Sequence, residues 1–196
     1  MTTEQIKITD ITTSPELLTS KSPISNPNCL PPQKRLVPPL NFSPVLPKLY
    51  RSGQPTPPTH EFLNKLKLKC VVWLSLEDPS DSFLSYIANN NIQLFTPSSF
   101  NSDFWDGVSD QTISESLEIL TDSRNYPALV CCGGGRHRTG TVIGCLRKLL
   151  GWNFASVSEE YRRFAGGRVS VELIIEGFDI SNVKINKEHV PDWLLR

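Results

Sequence analysis

The chain has 196 residues, enough for one domain with a tail and a sizeable apolar core. Twenty basic side chains balance twenty acidic ones, which excludes a global field drawing the protein to nucleic acid or an anionic membrane. Any preference for anions must be local. Five scattered cysteines do not form a secreted disulfide framework, and the N-terminus lacks a basic region followed by an apolar run. No segment reaches the roughly 20 apolar residues that a membrane helix needs, so the expectation is a soluble, cytoplasmic protein with reduced thiols.

Residues 1–35 are rich in Thr, Ser, Pro and Asn and poor in aromatics, a composition that predicts a disordered tail. The domain is expected over 36–196. Val45–Tyr50 predicts a first short strand, with a turn at Ser52-Gly53 and Pro55. His60–Leu68 predicts a short helix, and Cys70–Leu76, nearly continuously apolar, a strand buried on both faces. Asp81–Asn89 reads as a helix and Ile92–Phe95 as a strand. After a polar and aromatic loop, Ser109 or Asp110 caps a helix with Ile113, Leu117, Ile119 and Leu120 on one face. Pro127–Cys131 is the next strand, and Val157–Phe164 and Val171–Phe178 are two further helices. Strands alternating with helices predict an α/β fold, its central sheet mostly parallel and flanked by helices. Function in such sheets gathers at the carboxyl ends of the strands.

One such end carries the chemistry. Residues 129–150 read LVCCGGGRHRTGTVIGCLRKLL: a strand, three glycines, a basic triplet, Thr139-Gly140 and an amphipathic helix. Successive amide N–H groups of Gly133, Gly134, Gly135, Arg136 and His137 can turn inward around one anion, with the positive end of a helix starting near Thr139 aimed at the same point. Arg138 lies six positions after Cys132 and offers a planar fork to two oxygens of a tetrahedral phosphate. In that cradle Cys132 is expected to act as a thiolate nucleophile, passing through phosphocysteine, with Thr139 hydrogen-bonding the sulfur as it departs. Other glycine-loop chemistries fail on spacing. There is no Gly-Lys-Ser/Thr, the third glycine of GxGxxG is replaced by Arg138, and His60, His137 and His189 have no spacing for zinc. No metal or cofactor is expected.

Expelling the leaving oxygen also needs a proton donor. The loop SSFNSDFWDGVSD holds Asp103, Asp106 and Asp110. Asp110 is better explained as a helix-start residue. Asp106 is favoured over Asp103, because the neighbouring Trp105 ring would favour its protonated form.

CGGGRHRTG, with the following TVIGCLRKLLGWNFASVSEEYRRFAG and the upstream VPPLNFSPV and LYRSGQP, resembles the plant and fungal atypical dual-specificity phosphatases. The resemblance spans about Leu36 to Leu195. It implies a cysteine-dependent phosphatase fold, Cys132 as nucleophile, Arg138 and the 133–137 backbone as phosphate ligands, and a role in oxidant (superoxide) protection and cell-cycle arrest. Three departures stand out: Cys131 where the family usually has His, Arg136 where its pyrophosphatase-like members have Lys, and an unfamiliar acid loop. Three functions follow. The first is a tyrosine-protein (dual-specificity-like) phosphatase acting on phosphorylated proteins. The second is an inositol pyrophosphate phosphatase. The third is a weakly active phosphate-binding subunit in a complex with related phosphatase-family chains.

Cys132 is also expected to oxidise reversibly. Cys70, at the far end of its strand, is a poor disulfide partner at about 20 Å. Cys145 is expected in the core and Arg162-Arg163 to pair with Glu159-Glu160; Arg168 is an alternative contact for a polyanionic substrate, against the plainer reading of a solvated charge.

Overall fold

The computed structural model describes residues 35–97 and 108–195, so the expected tail, all but its last residue, lies outside the described residues. Five strands form one sheet in the order β1-β2-β5-β3-β4. β1 (Ser43–Leu46) is antiparallel to β2 (Leu49–Gly53), while β3 (Cys70–Trp73), β4 (Gln93–Phe95) and β5 (Ala128–Cys132) all run parallel to β2. The mostly parallel α/β architecture is as expected.

The first strand is where the two differ. A hairpin stands in place of one strand over Val45–Tyr50, turning at Pro47 and Lys48, the latter at φ 63°. Lysine is rare at positive φ, so nothing in its residue type announced the turn. Ser52 and Gly53, expected as a turn, are instead the last two residues of β2, paired with Cys131 and Cys132.

All five residues of β5 are buried, and alternation divides them between two faces. Ala128, Val130 and Cys132 face the larger core. There they meet Leu117 of α3 (Asp110–Leu120), Val142 and Cys145 of α4 (His137–Leu149), Tyr161 of α5 (Phe154–Ala165) and Ile175 of α6 (Val169–Gly177). Leu129 and Cys131 face the other side, against Leu63 of α1 (His60–Leu66) and Phe83 and Ile87 of α2 (Asp81–Asn89). Helices on both faces therefore bury the central strand completely, which is why β3 and β5 read as continuous apolar runs.

Local chemistry accounts for the helix ends. Ser109 Oγ accepts from the Thr112 N–H at 3.2 Å and starts α3, and Asn153 does the same for α5 through Ser156 N–H at 2.9 Å. α4 stops at Gly151, at φ 77°, whose N–H donates to Lys148 O while Trp152 N–H donates to Arg147 O. The charge pairs differ from expectation. Arg162 reaches across to Glu172 of α6 at 2.7 Å, and Glu160 is taken by Arg147 at 2.8 Å. Ser158 also donates to Glu172, so the carboxylate is held by two donors on α5 and neighbours along one helix lose the competition. Among the described residues, no helix is long and apolar enough to cross a membrane.

Candidate active site

Cys132 is the last residue of β5 rather than the first residue beyond it, and it is 5% exposed. Its backbone pairs with Gly53, so the carboxyl ends of β2 and β5 finish together. α4 begins at His137, two residues earlier than expected, which brings its first-turn N–H groups closer to the sulfur. Thr139 Oγ1 donates to Cys132 Sγ at 3.1 Å.

The loop between them is shaped from behind. Gly133 O accepts from the Gln54 N–H at 3.1 Å, Gly134 O from Asn41 Nδ2 at 2.8 Å, and Gly135 O from Arg51 Nη2 at 3.0 Å. In a planar trans peptide the N–H points opposite to the C=O. Pulling three successive carbonyls towards the β1–β2 segment therefore turns the N–H groups of Gly134, Gly135 and Arg136 to the other side, which makes an anion nest.

Only one of the three glycines is demanded by conformation. Gly135 sits at φ 65°, and a Cβ there would lie 2.3 Å from Gly53 N; Gly133 and Gly134 have room for one.

Cys132, Gly133, Gly134, Arg136, His137 and Arg138 line one cavity of about 480 Å³, together with Arg168, Ser75, Leu76 and Glu77. Arg138 Nη1 donates to Ser75 Oγ at 2.9 Å, and His137 Nδ1 lies 2.8 Å from the Tyr161 hydroxyl. Tyr161 packs so close that a Cβ on Gly140 would fall 2.8 Å from its ring. Gly135 and Thr139 stand behind the cavity wall, both buried. A larger cavity of about 760 Å³ lies between β4 and α3, with Phe95, Glu115 and Glu118 in its lining. Among the described residues its lining holds neither a cysteine nor a cluster of cations, whereas the smaller cavity carries Cys132 beside Arg136, Arg138 and Arg168.

Asp106 and its alternative Asp103 lie outside the described residues. The supports Asn41, Arg51, Gln54 and Ser75 were not anticipated. Arg51 alone had a signal: in β2 it alternates with Leu49 on the face of Val130 and Cys132, where an apolar residue is the norm.

The other thiols are set apart by position. Cys131 is fully buried on the opposite face of the sheet from Cys132, and burial together with the Cys132 charge pushes its thiol well up. Burial also pushes Cys70 up to about 12. Cys70 pairs with Ala128, four residues before Cys132, so about 13 Å separates the two along the sheet rather than 20 Å. A disulfide still cannot form over that distance. Cys145 is in the core as expected.

Residues 36–196 match the family model described as the tyrosine phosphatase family. The chain belongs to that family. It is 54% identical over 173 residues to "Putative tyrosine-protein phosphatase OCA1" of Kluyveromyces lactis, covering 84% of this chain and 82% of the relative. The protein of the same name in Saccharomyces cerevisiae is 54% identical over 172 residues, covering 84% and 72%. Among solved structures, the core catalytic domain of the PP-IP phosphatase SIW14 from S. cerevisiae superposes with a TM-score of 0.69 at 34% identity, over 74% of this chain and 89% of that one. The fold is that of the cysteine-based phosphatases, and the chain is a hydrolase of the tyrosine phosphatase type.

Proposed function

We propose that this phosphatase hydrolyses phosphomonoesters of tyrosine-phosphorylated proteins through a phosphocysteine on Cys132. The Cys132 sulfur attacks phosphorus, the P–O bond to the leaving group breaks, and the oxygen leaves with a proton from Asp106. Water then attacks phosphorus as it returns a proton to the Asp106 carboxylate, the S–P bond breaks, and inorganic phosphate departs with the Cys132 thiolate restored. Arg138 and the N–H groups of the 133–137 segment bind the three non-bridging oxygens, over which the charge of the transferring phosphoryl group is spread. The observation that carries this reading is the Cys132 sulfur at the wall of the cavity, held by the Thr139 hydroxyl at 3.1 Å, with Arg138 lining the same space. That hydroxyl stabilises the sulfur anion as it leaves in the second step.

A second reading, hydrolysis of inositol pyrophosphates, is supported by Arg136 and Arg168 lining the cavity beside Arg138, more cationic charge than one phosphomonoester requires. It is also supported by the likeness to SIW14. The test is turnover of an aryl phosphate and of an inositol pyrophosphate by wild type and by Cys132→Ser. The substrate with the larger kcat/KM decides between the two readings, and equal rates for wild type and Cys132→Ser would remove both. For the cell we propose action in the cytoplasm, in oxidant protection and cell-cycle arrest. A deletion strain growing normally on a superoxide generator would contradict that role.

A further inference from the structure

Arg51 is the most deeply buried charge among the described residues. Its side chain is 1% exposed, in the middle of β2, on the core face of the sheet. Among the described residues no carboxylate lies within 4 Å of it. Its guanidinium stacks over the Phe164 ring at 3.8 Å, Nη2 donates to Gly135 O, and Nε has no partner. A buried cation without a paired carboxylate is costly, and burial lowers this arginine to about 10. The anionic groups that offset the burial are Glu160 and the sulfur of Cys132, while the Arg147 charge adds to its effect. The charge therefore sits behind the phosphate loop, and the anion site lies on the other side of one peptide layer.

We propose that Arg51 is a positioning residue of the anion site. Its hydrogen bond fixes the Gly135–Arg136 peptide with the N–H towards the bound oxyanion. Its buried charge is a counter-charge for that anion and for the Cys132 thiolate. Arg138 binds from the cavity side and Arg51 acts from behind, so the loop is clamped between two cations although only one touches substrate. Burial gives the second cation a property the rim lacks. Salt screens Arg168 and Arg136 at the cavity mouth, whereas counter-ions cannot approach Arg51.

The assignment rests on the oxyanion-binding reading of the site, and the test separates the two. Tungstate, a stable tetrahedral oxyanion, is titrated calorimetrically into the full chain at about 50 and about 500 mM salt. Circular dichroism establishes that each variant is folded. Arg51→Met is expected to weaken binding at least about tenfold, by the same factor at both salt concentrations. Arg51→Lys, which keeps the charge but not the planar fork, should fall between Met and wild type. Should Arg51→Met fail to fold, Arg51→Lys decides alone: a threefold to tenfold loss, on the order of one hydrogen bond, supports the assignment. Wild type that binds no tungstate would remove the phosphate-site reading itself. Tungstate binding by wild type with Arg51→Met within about twofold overturns the Arg51 assignment alone. A loss that fades with salt, or a lysine variant equal to wild type or no better than methionine, overturns it too.

Discussion

Replacing Gly135 with alanine tests whether the phosphate loop is held by β2 as described. A Cβ at this position would lie 2.3 Å from Gly53 N, 2.4 Å from Ser52 C and 2.6 Å from Ser52 O, against ordinary contacts of 3.4 Å or more. All three atoms are backbone. They cannot recede, because Ser52 and Gly53 are paired with β5 and the Gly53 N–H donates to Leu40 O. The loop must therefore move by about 1 Å, a displacement that costs about a hundredfold in rate when it affects positioning. Left-handed backbone and forced packing together cost about 2–5 kcal/mol, a large share of a stability of about 5–15 kcal/mol. Gly134→Ala is the control for stability, since its nearest atoms are the flexible Arg136 Cγ and Cδ at 3.8 and 3.9 Å. The assays are kcat/KM on an aryl phosphate at a temperature where both variants are folded, and thermal melting. Gly135→Ala with kcat/KM and melting temperature both close to those of wild type would refute the reasoning.

Three further outcomes are expected. Glu172 is held below the usual glutamate value of 4.5 by hydrogen bonds from Arg162 and then Ser158. A depressed carboxylate stabilises the fold above its unfolded value and loses that contribution as pH falls through its folded one. Glu172→Gln should thus melt earlier than wild type at pH 7, with the gap closing below pH 4.5, and a gap independent of pH would contradict the pairing. Asp106→Asn should slow turnover about a hundredfold for a poor leaving group and less for a good one. Unchanged turnover of both would point to Asp103. Brief alkylation of the native protein followed by peptide mapping should label Cys132 ahead of Cys70, Cys131 and Cys145, whose thiols are all pushed up by burial. Faster labelling of Cys131 would show that the two adjacent cysteines are not divided between opposite faces.

What could be read from the sequence was local. α2 runs from Asp81 to Asn89 as its pattern implied, because Phe83, Tyr86 and Ile87 repeat at helical spacing. The proposed nucleophile Cys132, Arg138 and Thr139 fall within eight residues, so spacing alone assembles them. The hairpin at Pro47-Lys48 escaped because its turn uses a lysine at positive φ. Asn41, Arg51, Gln54 and Ser75 escaped for another reason. They lie between 63 and 93 residues before the loop carbonyls or side chain they hold, and only the register of β2 and β3 on β5 brings them there. The residues proposed to react were visible, and the residues that shape the backbone around them depend on the sheet.

The central claim is that Cys132 carries the phosphoryl group. Wild type mixed with an aryl phosphate, quenched in acid within the first turnovers and mapped by mass spectrometry tests it directly. One added phosphoryl group is expected on the peptide containing Cys132, and none on that peptide from Cys132→Ser. Rapid turnover with no phosphoryl group on that peptide, or with the group on another residue, would contradict it.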